Sequence, residues 1–252
     1  MNLPNPFPAG LQTKVSVNVT QTTPTKFRFK KAGTAGNLIS VVLDESGSMQ
    51  SCWDSTIIGF NEYVNGQKSA DAGACWLTLN KFEGGRIRTV FENRDIREAP
   101  ALDKKSYTPA GGTNLLDAIG HTIEQVNAIL DSKKKKDRPG VIIVIMTDGE
   151  ENQSTKYNNE MIKSMVAAAE KADWSFVFLG ANIDSFSVGS TFGMNAMNTV
   201  NYSTVNIAAT MNAMSATTTR MRSAKMAGMD TQAVYSTSMW TEQEKADMVK
   251  GK

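Results

Sequence analysis

Apolar residues in this chain come in two arrangements, short unbroken runs and stripes at helical spacing. Leu38-Ile39-Ser40-Val41-Val42-Leu43 is a buried-strand run that stops at Asp44. Ile57, Ile58, Phe60 and Val64 follow at near-helical spacing and predict a helix over about 53–67. Cys75–Phe82 and Arg86–Glu92 read as strands joined by the tight Glu83-Gly84-Gly85 turn, an antiparallel hairpin. Leu115, Leu116, Ile119, Ile123, Val126 and Ile129 form one apolar stripe, which predicts a helix over about 114–130. Val141–Met146 is wholly apolar. A helix over 158–172, a strand at Ser175–Leu179, a short strand near Asn198–Tyr202 and a helix over about 205–222 complete the series.

Strands that alternate with helices imply parallel pairing and right-handed crossovers. The unbroken apolar character of Val141–Met146 fits a central strand covered on both sides. The expected fold class is therefore α/β: a doubly wound, mostly parallel central sheet with one antiparallel edge strand and helices on both faces.

Outside this regular region the pattern thins. Residues 1–35 read as an N-terminal extension, with alternating segments at Lys14–Thr20 and Lys26–Lys30 that suggest a β-hairpin; a disordered arm is the competing reading. Residues 36–225 form the expected domain. Residues 226–252 form a C-terminal tail, in which Thr241-Glu242-Gln243-Glu244 has capping-box spacing and suggests a last short helix to about Lys250; a frayed tail is the alternative.

Bulk properties narrow the function classes. At 252 residues, 40% hydrophobic and 21% charged, the chain has the composition of a globular domain. A net charge of +2 does not point to nucleic acid or an anionic membrane. No stretch approaches the roughly 18 apolar residues that a spanning helix needs. Met1–Gly10 is Pro-rich and shows no secretory signal, and Cys52 and Cys75 are too few for a disulfide scaffold. A cytoplasmic chain with reduced thiols is expected, or a virion component if it is phage-encoded.

Three separated motifs carry the chemistry. Asp44-Glu45-Ser46-Gly47-Ser48 ends the first apolar run, Gly111-Gly112-Thr113-Asn114 precedes a helical stripe, and Thr147-Asp148-Gly149-Glu150 follows the second apolar run. In an open α/β sheet, loops at the carboxyl ends of the strands converge on ligands. Two carboxylates, from Asp44 and Asp148, and three hydroxyls, from Ser46, Ser48 and Thr113, make an all-oxygen donor set. Such a set suits a hard divalent cation.

The Asp-x-Ser-x-Ser motif, with the later Thr and Asp in order, resembles the metal-ion-dependent adhesion site of the von Willebrand factor A family. The resemblance covers about 36–225. Phe176–Asn182, Asn198–Tyr202 and Thr217-Thr218-Thr219-Arg220 are similar to small intracellular bacterial or phage members. It implies a Rossmann-like fold with a metal held by Asp44, Ser46, Ser48, Thr113 and Asp148. Mg²⁺ is the implied ion, with Mn²⁺ or Ca²⁺ as substitutes. The implied function is non-catalytic: a partner's Asp or Glu takes an open position on the ion. In relatives such modules often serve a separate AAA+ ATPase, and no Walker motif occurs here. The alternative is a virion or assembly component that uses the fold as a docking surface. In adhesion relatives the final helix slides when the ion's contacts change; here that helix is the stretch around Ile207–Met221, and a fixed helix is the competing reading.

Other residues carry less. His121 is the sole histidine and cannot build a zinc site or a relay, and no base accompanies Ser46 or Ser48 as nucleophiles. Lys133–Lys136 reads as a solvated loop. The methionines from Met194 to Met229 read mostly as adaptable core filler. Glu45, Gln50, Glu150 and Glu151 flank the site and are expected to tune partner choice.

Overall fold

The computed structural model describes residues 26–181, 184–238 and 240–249. Six strands form one sheet: β1 (Asn37–Asp44), β2 (Cys75–Glu83), β3 (Arg86–Asp95), β4 (Gly140–Thr147), β5 (Trp174–Ala181) and β6 (Thr199–Tyr202). Their order is β3-β2-β1-β4-β5-β6. All neighbours pair in parallel except β2 and β3, the antiparallel edge hairpin that the Gly84-Gly85 turn predicts.

Alternate residues of the central strands feed two separate cores. Ile142, Val144 and Met146 of β4 face α1 (Trp53–Ser69) and α5 (Ile207–Met226), whereas Val141, Ile143 and Ile145 face α2 (Leu115–Asp131) and α3 (Asn159–Glu170). Every residue of β1, β4 and β5 is buried. A doubly wound sheet requires that two-sided burial, and it removes the alternation that a half-exposed strand would show.

Helices α1 and α5 approach closely because α1 offers glycines at the contact. A Cβ on Gly59 would fall 2.7 Å from Met211 Cγ, and one on Gly66 would fall 2.4 Å from Ser215 Oγ. Polar cross-links reinforce the contact: Gln67 Nε2 donates to Ser215 O at 2.8 Å and Arg222 Nη1 donates to Gln67 O at 2.9 Å. Met194, Met211, Met214 and Met221 are buried as core filler, while Met226 and Met229 stay exposed.

Two features of the described residues depart from the sequence expectation. Lys14–Thr20 lies outside the described residues, and Lys26–Lys30 forms no strand. Phe27 and Phe29 stack on each other, Phe29 packs on Trp174, and Trp174 Nε1 donates to Lys30 O at 2.9 Å. The aromatic residues dock this arm on the body, so its alternation records packing, not sheet pairing. Two short helices, α4 (Ser185–Thr191) and α6 (Thr231–Thr237), appear where no stripe predicts them. The capping box is formed: Thr241 N donates to Glu244 Oε2 at 2.7 Å and Glu244 N to Thr241 Oγ1 at 3.1 Å, opening α7 (Glu242–Val249).

Candidate metal centre

Strands β1 and β4 lie side by side with Leu43 opposite Met146, so both chains leave the sheet at the same level. Asp44 is the last residue of β1, and Asp148 follows the last residue of β4. Asp44 turns back on its own loop, where its Oδ1 accepts from Ser46 N at 2.7 Å. That Asx turn sets the direction of the loop and presents alternate side chains on one side. Ser46 Oγ lies 3.1 Å from Ser48 Oγ, and Ser48 Oγ donates to Asp148 Oδ1 at 2.6 Å. One hydrogen-bonded chain thus runs from Asp44 through both serines to Asp148.

Thr113 enters from the third loop. Its backbone N donates to Asn152 Oδ1 at 2.9 Å, and its carbonyl accepts from Asn152 N and Gln153 N at 3.0 and 3.1 Å. Gly149 marks the meeting point. A Cβ there would fall 2.8 Å from Thr113 Oγ1 and 3.4 Å from Ser48 Oγ, so only glycine leaves the two hydroxyls room. The loop before Thr113 is fixed by backbone bonds from Gly47 N to Gly111 O at 3.0 Å and from Gly84 N to Gly112 O at 2.9 Å. Gly111 adopts φ +65°, a conformation that side chains oppose. All five residues of the predicted donor set therefore converge.

The electrostatics are unbalanced. Asp44 is fully buried, Asp148 is 5% exposed, and neither has a basic partner among the described residues. Burial pushes Asp44 up to about 6, against hydrogen bonds from Thr147 and Ser46 that favour its charge; the nearby Asp148 raises it further. Burial also raises Asp148, opposed by the Ser48 hydrogen bond. Buried carboxylates are ordinarily paired or bound to metal. The all-oxygen donor set, the two uncompensated carboxylates and the glycine-lined gap all fit a hard divalent cation. Ser48 is exposed, which leaves the site open on that side.

Glu45 takes a different role from the one expected. Its side chain is fully buried, accepting from Lys81 Nζ at 2.7 Å, Arg88 Nη2 at 2.6 Å and Thr108 N at 2.6 Å. It cannot touch a partner; it clamps the loop that follows β1 to β2, β3 and the 106–108 segment. Glu151 is likewise structural, accepting from Leu116 N at the start of α2 and from Ser154 N at 2.8 and 2.7 Å. Gln50 and Glu150 are exposed beside the loops.

Three supporting residues carry no sequence expectation. Thr147 Oγ1 donates to Asp44 Oδ2 at 2.5 Å, and Tyr107 donates its hydroxyl to Asp44 O at 2.7 Å. Asp117 accepts from Thr155, Lys156 and Tyr157 N, each at 2.9 Å, and so fixes the segment that follows Asp148. Thr147 sits inside the third motif, and its hydroxyl next to an aspartate was the available signal. Cys52 is buried, its thiol is raised by that burial, and it is free, as is Cys75.

No protein-family model and no curated protein matches the chain in sequence. Solved structures do match in fold. Proximal thread matrix protein 1 from the mussel byssus aligns with TM-score 0.51 at 13% identity, covering 75% of this chain and 48% of that one. Another structure of that protein, "with zinc occupied MIDAS motif", aligns with TM-score 0.51 at 14% identity over 75% and 48% of the two chains. A von Willebrand factor type A structure from Catenulispora acidiphila aligns with TM-score 0.45 at 13% identity, over 73% and 43%. This chain spans about half the length of the mussel structures. The likeness is one of fold: the chain shares its α/β architecture with the mussel thread matrix protein.

Proposed function

We propose that the chain is a non-catalytic, divalent-metal-dependent protein-interaction module. In this reading Asp44, Ser46, Ser48, Thr113 and Asp148 hold Mg²⁺, with Mn²⁺ or Ca²⁺ as substitutes. One observation supports it above the others. Asp44 and Asp148 are buried, joined through Ser46 and Ser48, and lack any basic partner among the described residues. When bound, the ion supplies an electrophilic anchor for an incoming carboxylate. Asp44 and Asp148 offset its charge without exceeding it, and the three hydroxyls add dipoles only. Thr147 and Ser46 N orient the Asp44 carboxylate, and Gly149 keeps the gap between Thr113 and Ser48 open.

The partner in this reading is a protein that presents Asp or Glu, and a separate AAA+ ATPase is the kind of machine it would serve. Among the described residues no helix is long and apolar enough to cross a membrane. Titration calorimetry with Mg²⁺ and Mn²⁺ tests the site directly; absence of binding to either ion overturns it. Partner capture with EDTA, then restored Mg²⁺, tests the interaction. Capture that ignores chelator points instead to an assembly component that docks through another surface.

A further inference from the structure

The opposite end of the sheet holds buried positive charge without a buried carboxylate. Arg222, on α5, is 1% exposed and points among the start of β2, the end of α1 and the Gly73 turn. Its Nη1 donates to Gln67 O and Oε1 at 2.9 and 3.1 Å, and its Nη2 donates to Gly73 O at 2.9 Å. Its Nε has no acceptor, and the guanidinium has no carboxylate partner among the described residues. One turn on, Lys225 is 3% exposed and reaches only the carbonyl of Asp173, at 2.8 Å.

Elsewhere the chain treats buried cations differently. Lys81, equally buried, meets the buried Glu45 carboxylate. Removing a guanidinium from water without a counter-charge is costly, so an uncompensated buried arginine marks a place where an anion is accommodated. Gln67 at the end of α1 and the Gly73 carbonyl account for the two terminal nitrogens of Arg222 and leave Nε and the net charge unexplained.

A cleft of about 270 Å³ lies against this group, lined by Arg222, Lys68, Arg97, Asp95 and the thiol-bearing Cys75. Three cations and one carboxylate give the lining a net charge of +2. Asp95 is engaged by Arg97, whose Nη2 lies 2.5 Å from its Oδ2, so that carboxylate is already spoken for. Lys68 Nζ donates to Ala99 O at 3.0 Å and retains two further N–H donors. Cys75 adds no negative charge, since burial pushes its thiol up to about 11.

We propose that this cleft is an oxyanion site, in which Arg222 and Lys68 bind a group of the phosphate class at the end of the sheet remote from the metal loops. Phosphate carries a charge of about −1.5 to −2 near neutrality, which matches the lining, and guanidinium and ammonium donors form its strongest hydrogen bonds. The volume is ample for one such group.

The test uses the full chain without divalent ions, titrated with inorganic phosphate at constant ionic strength set by chloride. Nuclear magnetic resonance reads the Arg222 Nε–H, and calorimetry reads affinity. Saturable, millimolar movement of that resonance is expected, with Lys68→Gln weakening binding about fivefold through loss of one charge-assisted bond. Asp44→Ala should leave phosphate binding intact, which separates this site from the metal reading. An unmoved Arg222 Nε–H, or shifts confined to exposed lysines, overturns the proposal. Arg222→Met is informative if folded, and the wild-type resonance decides the matter if it is not.

Discussion

Thr147 Oγ1 stands 2.5 Å from Asp44 Oδ2 and ties together the ends of two adjacent parallel strands. The bond is buried and its acceptor is a carboxylate, so its loss costs about 2 kcal/mol. Thr147→Val keeps the β-branched shape and removes only the hydroxyl. The variant is expected to melt lower and to bind Mg²⁺ or Mn²⁺ about tenfold more weakly, because Asp44 loses an orienting donor. Thermal melts and metal calorimetry read both effects. Wild-type metal affinity in a folded variant would show that Thr147 is only a strand tie.

Asp44→Ala should abolish metal binding and metal-dependent partner binding while the fold persists. Asp44 is buried yet pairs with no cation, so its removal also relieves desolvation and repulsion from Asp148. Without metal, the variant is therefore expected to be no less stable than the wild type. Thr113→Ala keeps both carboxylates and loses one hydroxyl, so a milder loss of affinity is expected. Circular dichroism and metal titration, measured together, check the pair. Equal or greater damage from Thr113→Ala would assign that threonine a structural role.

Glu45 gives the opposite pattern. Replacing it with Gln leaves Lys81 buried without a full counter-charge, and breaking such a pair costs about 3–5 kcal/mol. Denaturant unfolding should show that loss. Metal affinity, measured on the folded fraction at low temperature, should fall far less than in Asp44→Ala. A stable Glu45→Gln variant with altered partner choice would restore the surface role expected from sequence.

The legibility of this chain follows from where its information is local. The unbroken run of Val141–Met146 and the stripe from Leu115 to Ile129 mark a central strand and an amphipathic helix directly, and both elements stand where those patterns fall. The five residues of the proposed site could be picked out because each lies next to a strand end or a helix start, and the structure brings them together. Glu45 was not: its partners Lys81 and Arg88 lie 36 and 43 residues away, and nothing local separates a buried carboxylate from an exposed one. Helices α4 and α6 are seven residues each, rich in Ser and Thr, too short to show a stripe. Helix α5 buries Thr210, Thr217, Arg222 and Lys225, so its inner face is partly polar and its last turn escaped the pattern.

Lys225 makes stability depend on pH. Burial lowers its folded pKa to about 8, below the usual 10.5. Between those values the unfolded chain binds the extra proton, so stability rises as pH rises through that window. The full swing is about 3 kcal/mol, an upper figure for one group. Lys225→Met should be more stable than wild type at pH 7, with the difference shrinking towards pH 10. Denaturant midpoints at several pH values measure it; a constant difference would mean that the ammonium is compensated in the folded state.

The last expectation concerns whether α5 moves. Its small residues would permit the sliding along the sheet raised as an expectation from sequence. The contacts argue for a fixed helix. Gln67 reaches Ser215 and Thr219, Arg222 grips Gln67 and Gly73, and Gly59 and Gly66 of α1 receive Met211 and Ser215. A one-turn shift would break the buried Arg222 bonds and drive side chains onto the α1 backbone. Gly66 and Ser215 provide the test, because a Cβ on Gly66 would lie 3.4 Å from Ser215 Cβ, near the spacing of a disulfide. The pair Gly66→Cys and Ser215→Cys, oxidised, should lock α5 where it stands. A ligand shifts a conformational equilibrium only by its differential affinity for the two states. If α5 has one position, metal and partner affinities of the oxidised and reduced forms should agree within about twofold. A several-fold change that reverses on reduction would mean that the helix travels when the site is filled.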